Sequence, residues 1–202
     1  MLVILFVNQL YKQVNKGEKT VTSTKTYGLV LTAFGAAIIA VLAQITIPLP
    51  LVPITGQTLA IGLIVTILGL KYGTLSVLVY CLLGAIGLPV FTGMSGGLSI
   101  LVGPTGGYII GFIPTALFMG WYLNKFGYTY IHGLIANVSG MMITLAFGTI
   151  WLKFVADMSL YAAFMAGAAP FILLEMMKGV IAAWVGILVR HRLLNANLLK
   201  LV

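Results

Sequence analysis

From Gly28 onward the chain is a series of long apolar runs separated by short polar, glycine-rich or proline-rich stretches. About 20 apolar residues span a bilayer as a helix, and continuous rather than alternating runs favour helices over a β-barrel. The pattern predicts six spans, over residues 28–47, 57–70, 73–89, 108–123, 132–152 and 166–189. The second is short, so part of the loop before it is expected at membrane level. That loop, IPLPLVPITG, holds Pro48, Pro50 and Pro53, which break a helix and cannot donate backbone hydrogen bonds. Because it is apolar and stiff, it is expected to dip back and cap a cavity. The connection after the third span, FTGMSGGLSILVGPTGGYIIGF, contains Gly93, Gly96, Gly97, Gly103, Gly106 and Gly107. Glycine lets backbone approach a ligand closely, and non-helical chain at membrane depth is tolerated where it is buried or lines a cavity. No Lys-Ser/Thr follows these glycines, so this is not a phosphate loop.

Composition agrees with this pattern. The 202 residues are 61% hydrophobic and 7% charged, against about 25% charged in soluble domains. The fold class expected is all-α, a polytopic membrane protein with six transmembrane helices. The net charge of +8 is explained by position and not by nucleic-acid binding. Lys12, Lys16, Lys19, Lys25, Lys71, Lys125, Arg190, Arg192 and Lys200 share one side of a six-span chain, and Lys153 alone marks the other. Positive residues concentrate in cytoplasmic segments, so both termini are expected in the cytoplasm and the proline, glycine and Lys153–Asp157 loops on the outer face. Three regions follow: a cytoplasmic or interfacial head (1–27), a membrane domain (28–190) and a cytoplasmic tail (191–202). In the head, Met1–Val7 is too short to span and lacks a signal peptide's basic start and cleavage site. Leu2, Leu5, Phe6 and Leu10 could line an interfacial helix. Cys81 cannot form an internal disulfide, His132 and His191 fall near span ends, and no metal cluster, cofactor motif or nucleophile–base pair stands out. The chain does not read as an enzyme.

Two of the three acidic residues, Asp157 and Glu175, lie with Lys178 in the stretch from Lys153 to Lys178. A charge at membrane depth faces the protein interior or a cavity and usually has a partner. Glu175 and Lys178, three apart on one helix, could simply neutralise each other, which leaves Asp157 without a role. The other reading is an outward-facing pocket for a small, partly apolar ligand. Asp157 would accept from ligand N–H groups there, and Lys178 would donate to a carbonyl or carboxylate. Phe91, Tyr108, Tyr161 and Phe171 could pack on a flat ring. Gln57 and Asn137 add amides, and Gly97, Gly103 and Gly106 add close backbone. In the first span Ala33 and Ala37, four apart, would let another helix approach closely, within this chain or from a partner.

PLVPITGQT, LGLKYG, GAIGLPVFTGMSGGLSILVGPTGGYIIGF and PFILLEMMK resemble the BioY family, the biotin-specific components of energy-coupling-factor transporters. The resemblance covers residues 28–190. It implies six spanning helices, capture of biotin from outside a prokaryotic cell membrane, and no ATPase of its own. It also implies a transmembrane coupling protein and two cytoplasmic ATPase subunits as partners. An Ala-x-x-x-Ala pattern of this family's first helix contacts the coupling protein, and Ala33 and Ala37 match it. The lysine of the family's last helix falls on Lys178 and is expected at biotin. Where the family often has Leu-Pro-Gly-Asp after Pro-Phe, this chain has Ile172, Leu173, Leu174 and Glu175. Asp157 matches no motif of the family, and its place rests on its charge and outer-face position; with biotin as ligand, Asp157, or failing that Glu175, is expected at the ureido N–H groups and Lys178 at the ureido oxygen. In a reversed pose Lys178 would hold the tail carboxylate. A stand-alone ion-coupled carrier, with Lys178 and Asp157 as a proton relay, is the alternative, although no internal repeat of the kind common in such carriers is visible.

Overall fold

The computed structural model describes residues 21–199. The expectations for the head (1–20) and for Lys200 lie outside the described residues. Everything below concerns the compact unit that starts at Leu31. The elements, in order, are α1 (Val21–Ala43), β1 (Thr46–Ile47), β2 (Ile54–Thr55), α2 (Gln57–Ala85), α3 (Leu98–Val102), α4 (Gly106–Phe126), α5 (Tyr130–Val155), α6 (Leu160–Gly167) and α7 (Ile172–Asn195). Among the described residues, five helices are long and apolar enough to cross a membrane: α1 (from Thr26), α2, α4, α5 and α7. Large apolar side chains such as Phe34, Phe154, Leu173 and Trp184 point outward, as they do where the solvent is lipid.

The expected apolar runs fall on these five helices with shifted ends. α1 stops at Ala43 because Thr46 and Ile47 pair antiparallel with Thr55 and Ile54. The proline loop is thus the tip of a small β-hairpin. The last long helix starts at Ile172 and not at 166, since Ala168–Phe171 is a turn containing Pro170 and the residues before it form the separate helix α6. α7 then runs past residue 190 to Asn195.

The expected second and third spans are one 29-residue helical element, α2, interrupted at Gly69 (φ 79°, ψ −172°). Its halves lie side by side. Gln57 Nε2 donates to the Tyr80 hydroxyl over 2.6 Å, whereas 23 residues along a straight helix would separate them by about 35 Å. A Cβ on Gly73 would stand 2.7 Å from Val65 Cα, so residues 57–68 and 70–85 run antiparallel. α4 and α5 also run antiparallel at close range. A Cβ on Gly111 would meet Phe147 Cβ at 2.8 Å, so small residues set the spacing. The ends of α5 and α6 follow from side-chain caps: Thr129 accepts from His132 N–H (3.3 Å) and Ser159 from Ala162 N–H (3.2 Å).

At the Gly69 end of the bundle, Arg190 of α7 is buried at 4% exposure. It donates to the Ile67 carbonyl, which the break at Gly69 frees from the helix ladder, and its guanidinium lies 3.6 Å over the Tyr128 ring. A cation at a helix carboxyl end is favourable. Burial raises the pKa of the Tyr128 phenol and Arg190 pulls it back, so the phenol stays neutral and donates to Asn124. Arg190→Leu is expected to cost about 2 kcal/mol, because a charged hydrogen bond is lost and a buried carbonyl is left unpaired. Arg190→Lys should restore only part, lacking the planar group that stacks on the ring. Thermal melts of the detergent-solubilised protein check this, and unchanged midpoints would rule the cap out.

Candidate functional site

At the opposite end, a cavity of about 220 Å³ opens between the β-hairpin, the start of α2, the glycine-rich connection, α4, α5 and the start of α7. Val52, Pro53, Ile54 and Thr55 form one wall, so the proline loop does cover a cavity. Phe91, Thr92, Ser95, Ile100 and Thr105 of the glycine-rich connection form another. Tyr108, Ile109, Phe112, Thr144, Leu145 and Phe171 supply an apolar lining with occasional hydroxyls, and Gln57, Thr58 and Glu175 complete it. An apolar pocket with a few placed polar groups suits a small organic ligand.

The polar groups are held from behind. Gln57, buried, gives Nε2 to Tyr80 (2.6 Å), while its Oε1 accepts from the hydroxyls of Thr55 (3.0 Å) and Thr92 (3.3 Å). Tyr108 donates to the Gly167 carbonyl over 2.7 Å, which fixes its ring against the cavity. Glu175, in the first turn of α7, is 4% exposed. Its Oε1 receives Lys178 Nζ (2.6 Å) and the Thr58 hydroxyl (3.0 Å). Its Oε2 is buried with no protein partner. A buried carboxylate oxygen left unpaired is costly, and Glu175 combines such an atom with a place in the cavity wall.

Of the residues singled out from the sequence, Gln57, Phe91, Tyr108 and Glu175 meet at the cavity, with Phe171. Lys178 stands behind its wall. Its ammonium donates to Glu175, to the Thr58 hydroxyl (3.2 Å) and to the Thr55 carbonyl (2.8 Å), which uses all three of its donors. Asp157 is not at the cavity. It is exposed, in a left-handed turn (φ 47°) after α5, so the argument from charge at depth does not apply to it. Tyr161 is 74% exposed on α6. Asn137 is fully buried but lies deeper in the bundle, where it donates to Thr66 Oγ1 and the Gly133 carbonyl, both at 2.9 Å. Gly97, Gly103 and Gly106 shape the connection without lining the cavity. Gly97 precedes α3 at φ 101°, the Gly103 carbonyl accepts from Trp151 Nε1 (3.0 Å), and Gly106 packs on the Leu101 backbone. Ala33 and Ala37 are exposed side by side on α1. The sequence reading missed Thr55, Thr58, Thr92, Ser95, Thr105 and Thr144. Single hydroxyls in apolar runs carry no spacing signal, and only Thr58, next to Gln57, could have been guessed.

The BioY family model matches residues 15–195, nearly the whole chain. The chain belongs to the BioY family. It is 40% identical over 175 residues to the biotin transporter BioY2 of Lactococcus lactis subsp. cremoris, covering 87% of this chain and 96% of that protein. The biotin transporter BioY of Thermotoga maritima is 42% identical over 151 residues, covering 75% and 88%. Among solved structures, the fold is similar to the crystal structure of the S-component for biotin from an ECF-type ABC transporter. The TM-score is 0.78 at 30% identity, over 85% of this chain and 95% of that one. This BioY-family chain is a multi-pass cell-membrane protein, and the relatives are named as transporters, not enzymes.

Proposed function

We propose that this BioY-family chain captures biotin outside the cell as the substrate-specific subunit of an ATP-driven energy-coupling-factor importer. The observation that carries this reading is the buried, unpartnered Glu175 Oε2 on a mostly apolar cavity. The ureido ring of biotin offers two N–H donors and one carbonyl. Glu175 accepts from an N–H group, the Gln57 amide, with a second N–H beyond its bond to Tyr80, faces the ureido oxygen, and Phe91, Tyr108 and Phe171 pack on the rings. Lys178 pairs with Glu175, orients it and ties it to the β-hairpin. Asn137, Gly97, Gly103 and Gly106 support the site from the second layer, and Asp157 is left for the outer surface. A proton relay through Asp157 and Lys178 has no supporting contact.

The antiparallel halves of α2 support six crossings within five long helices, with both termini on one side. Lys71, Lys125, Arg190 and Arg192 gather at the end away from the cavity, and the positive-inside rule makes that end cytoplasmic. Residues 28–190 are then the membrane domain between cytoplasmic segments 1–27 and 191–202. The chain carries no ATPase of its own. The exposed Ala33 and Ala37 face a transmembrane coupling protein, which in turn engages two cytoplasmic ATPase subunits.

Calorimetric titration of the purified chain tests the capture step. One biotin per chain is expected, with Asp157→Asn unchanged. Lys178→Gln should weaken biotin and a biotin amide equally, because Lys178 does not hold the tail carboxylate. A folded wild type that takes up no biotin would remove the proposal. A loss confined to biotin, sparing the amide, would restore the reversed pose.

A further inference from the structure

Gln44, just beyond α1, makes contacts that the biotin site as described does not use. Its Nε2 donates to the carbonyls of Ala40 (3.0 Å), Phe91 (3.1 Å) and Val90 (3.3 Å), and its Oε1 accepts from Met94 N–H (2.9 Å). One carboxamide therefore joins the end of α1 to both arms of the turn over residues 91–95. That turn needs an external hold. Gly93 (φ 66°) and Met94 (φ 54°) are consecutive left-handed residues, and a left-handed non-glycine residue persists only where its surroundings enforce it. Within the turn, Phe91 N–H donates to the Ser95 carbonyl (2.9 Å) and the Ser95 hydroxyl to the Thr92 carbonyl (2.8 Å). Phe91, Thr92 and Ser95 all face the cavity. Phe91 also stands edge-on to Tyr80, at 5.5 Å between centroids, and Tyr80 accepts from Gln57. Gln44 thus bonds directly to the turn that carries three residues of that wall.

We propose that Gln44 is the positioning residue that locks the 91–95 turn as the closed wall of the cavity, so that its bonds into the turn govern how fast the ligand leaves. The proposal rests on the biotin reading of the cavity. It also gives α1 a direct link to the site, through the helix whose outer face carries Ala33 and Ala37.

The test uses Gln44→Ala and Gln44→Glu in the full chain. Glutamate keeps the acceptor for Met94 N–H but loses both donors and sets a carboxylate against the Val90 and Phe91 carbonyls. Two readouts are taken beside the thermal midpoint of the ligand-free protein. The first is release of radiolabelled biotin into excess unlabelled biotin, expected to quicken by about ten- to a hundredfold for both variants. The second is the mobility of a nitroxide on Met94→Cys in a Cys81→Ala background, expected to rise when Gln44 is replaced, with the midpoint within a few degrees. Unchanged release, or a nitroxide equally immobile without Gln44, overturns the proposal. So does faster release that appears only alongside a collapsed midpoint, since Gln44 would then merely support the fold. If the wild type binds no biotin, the biotin reading fails. The nitroxide in the ligand-free protein still decides whether Gln44 locks the turn.

Discussion

Glu175→Gln is expected to weaken biotin binding by about 10- to 100-fold, since a hydrogen bond to a charged acceptor is worth about 1.5–3 kcal/mol and each 1.4 kcal/mol is tenfold. Glutamine keeps the shape and one acceptor oxygen but not the charge, and the buried, unpartnered Oε2 is replaced by an amide nitrogen or by a less basic amide oxygen. Glu175→Leu should remove binding altogether, but it has a second effect. It leaves the Lys178 ammonium, only 15% exposed, without its counter-charge, and breaking one side of a buried pair costs about 3–5 kcal/mol of stability. The double variant Glu175→Leu with Lys178→Met separates the two effects. Removing both charges should bring the thermal midpoint back toward wild type while biotin remains unbound. Calorimetry and a thermal melt on the same four proteins decide it. A double variant that binds biotin within threefold of wild type would show that Glu175 is structural, the self-neutralising pair that the spacing alone allowed.

The second large effect is expected at Gly69, far from the cavity. Its backbone (φ 79°, ψ −172°) lies in a region essentially restricted to glycine, costing about 1–3 kcal/mol for other residues. A Cβ there would also sit 2.8 Å from the Tyr128 hydroxyl. Gly69→Ala should therefore lower the thermal midpoint by about 5–10 °C, at about 2–4 °C per kcal/mol for a chain of this size. Gly127→Ala is the comparison: φ is 94° there and nothing stands within 4 Å of the new methyl, so it reports strain alone and should shift less. Adding Tyr128→Phe should relieve part of the Gly69→Ala loss by removing the clashing hydroxyl. Biotin affinity should fall in step with the midpoint, because the Gln57–Tyr80 bond joins the two halves that the break at Gly69 folds together. A Gly69→Ala protein that melts and binds like wild type would mean that the halves of α2 are held by their packing alone.

The division between sequence and structure follows from these residues. Apolar run length determined that this is a helical membrane protein, because desolvating unpaired backbone in lipid leaves few other solutions. The prolines and glycines likewise marked the two loops that wall the cavity, since they exclude regular helix there. The argument from charge at depth holds for Glu175 and Lys178, which pair in the bundle, but does not reach Asp157: proximity in sequence to an apolar run does not tell a buried acid from one in an exposed turn after a helix. Which half of the Glu175–Lys178 pair lines the cavity was also undecided, because three donors on an ammonium can be used up by groups 120 and 123 residues away in sequence, Thr58 and Thr55. The fold-back at Gly69, the depth of Asn137, the hydroxyl lining and the contacts of Gln44 were settled only by tertiary structure. Each depends on a contact between segments far apart in the chain, and local composition fixes which residues prefer lipid but not which distant partner satisfies a polar atom.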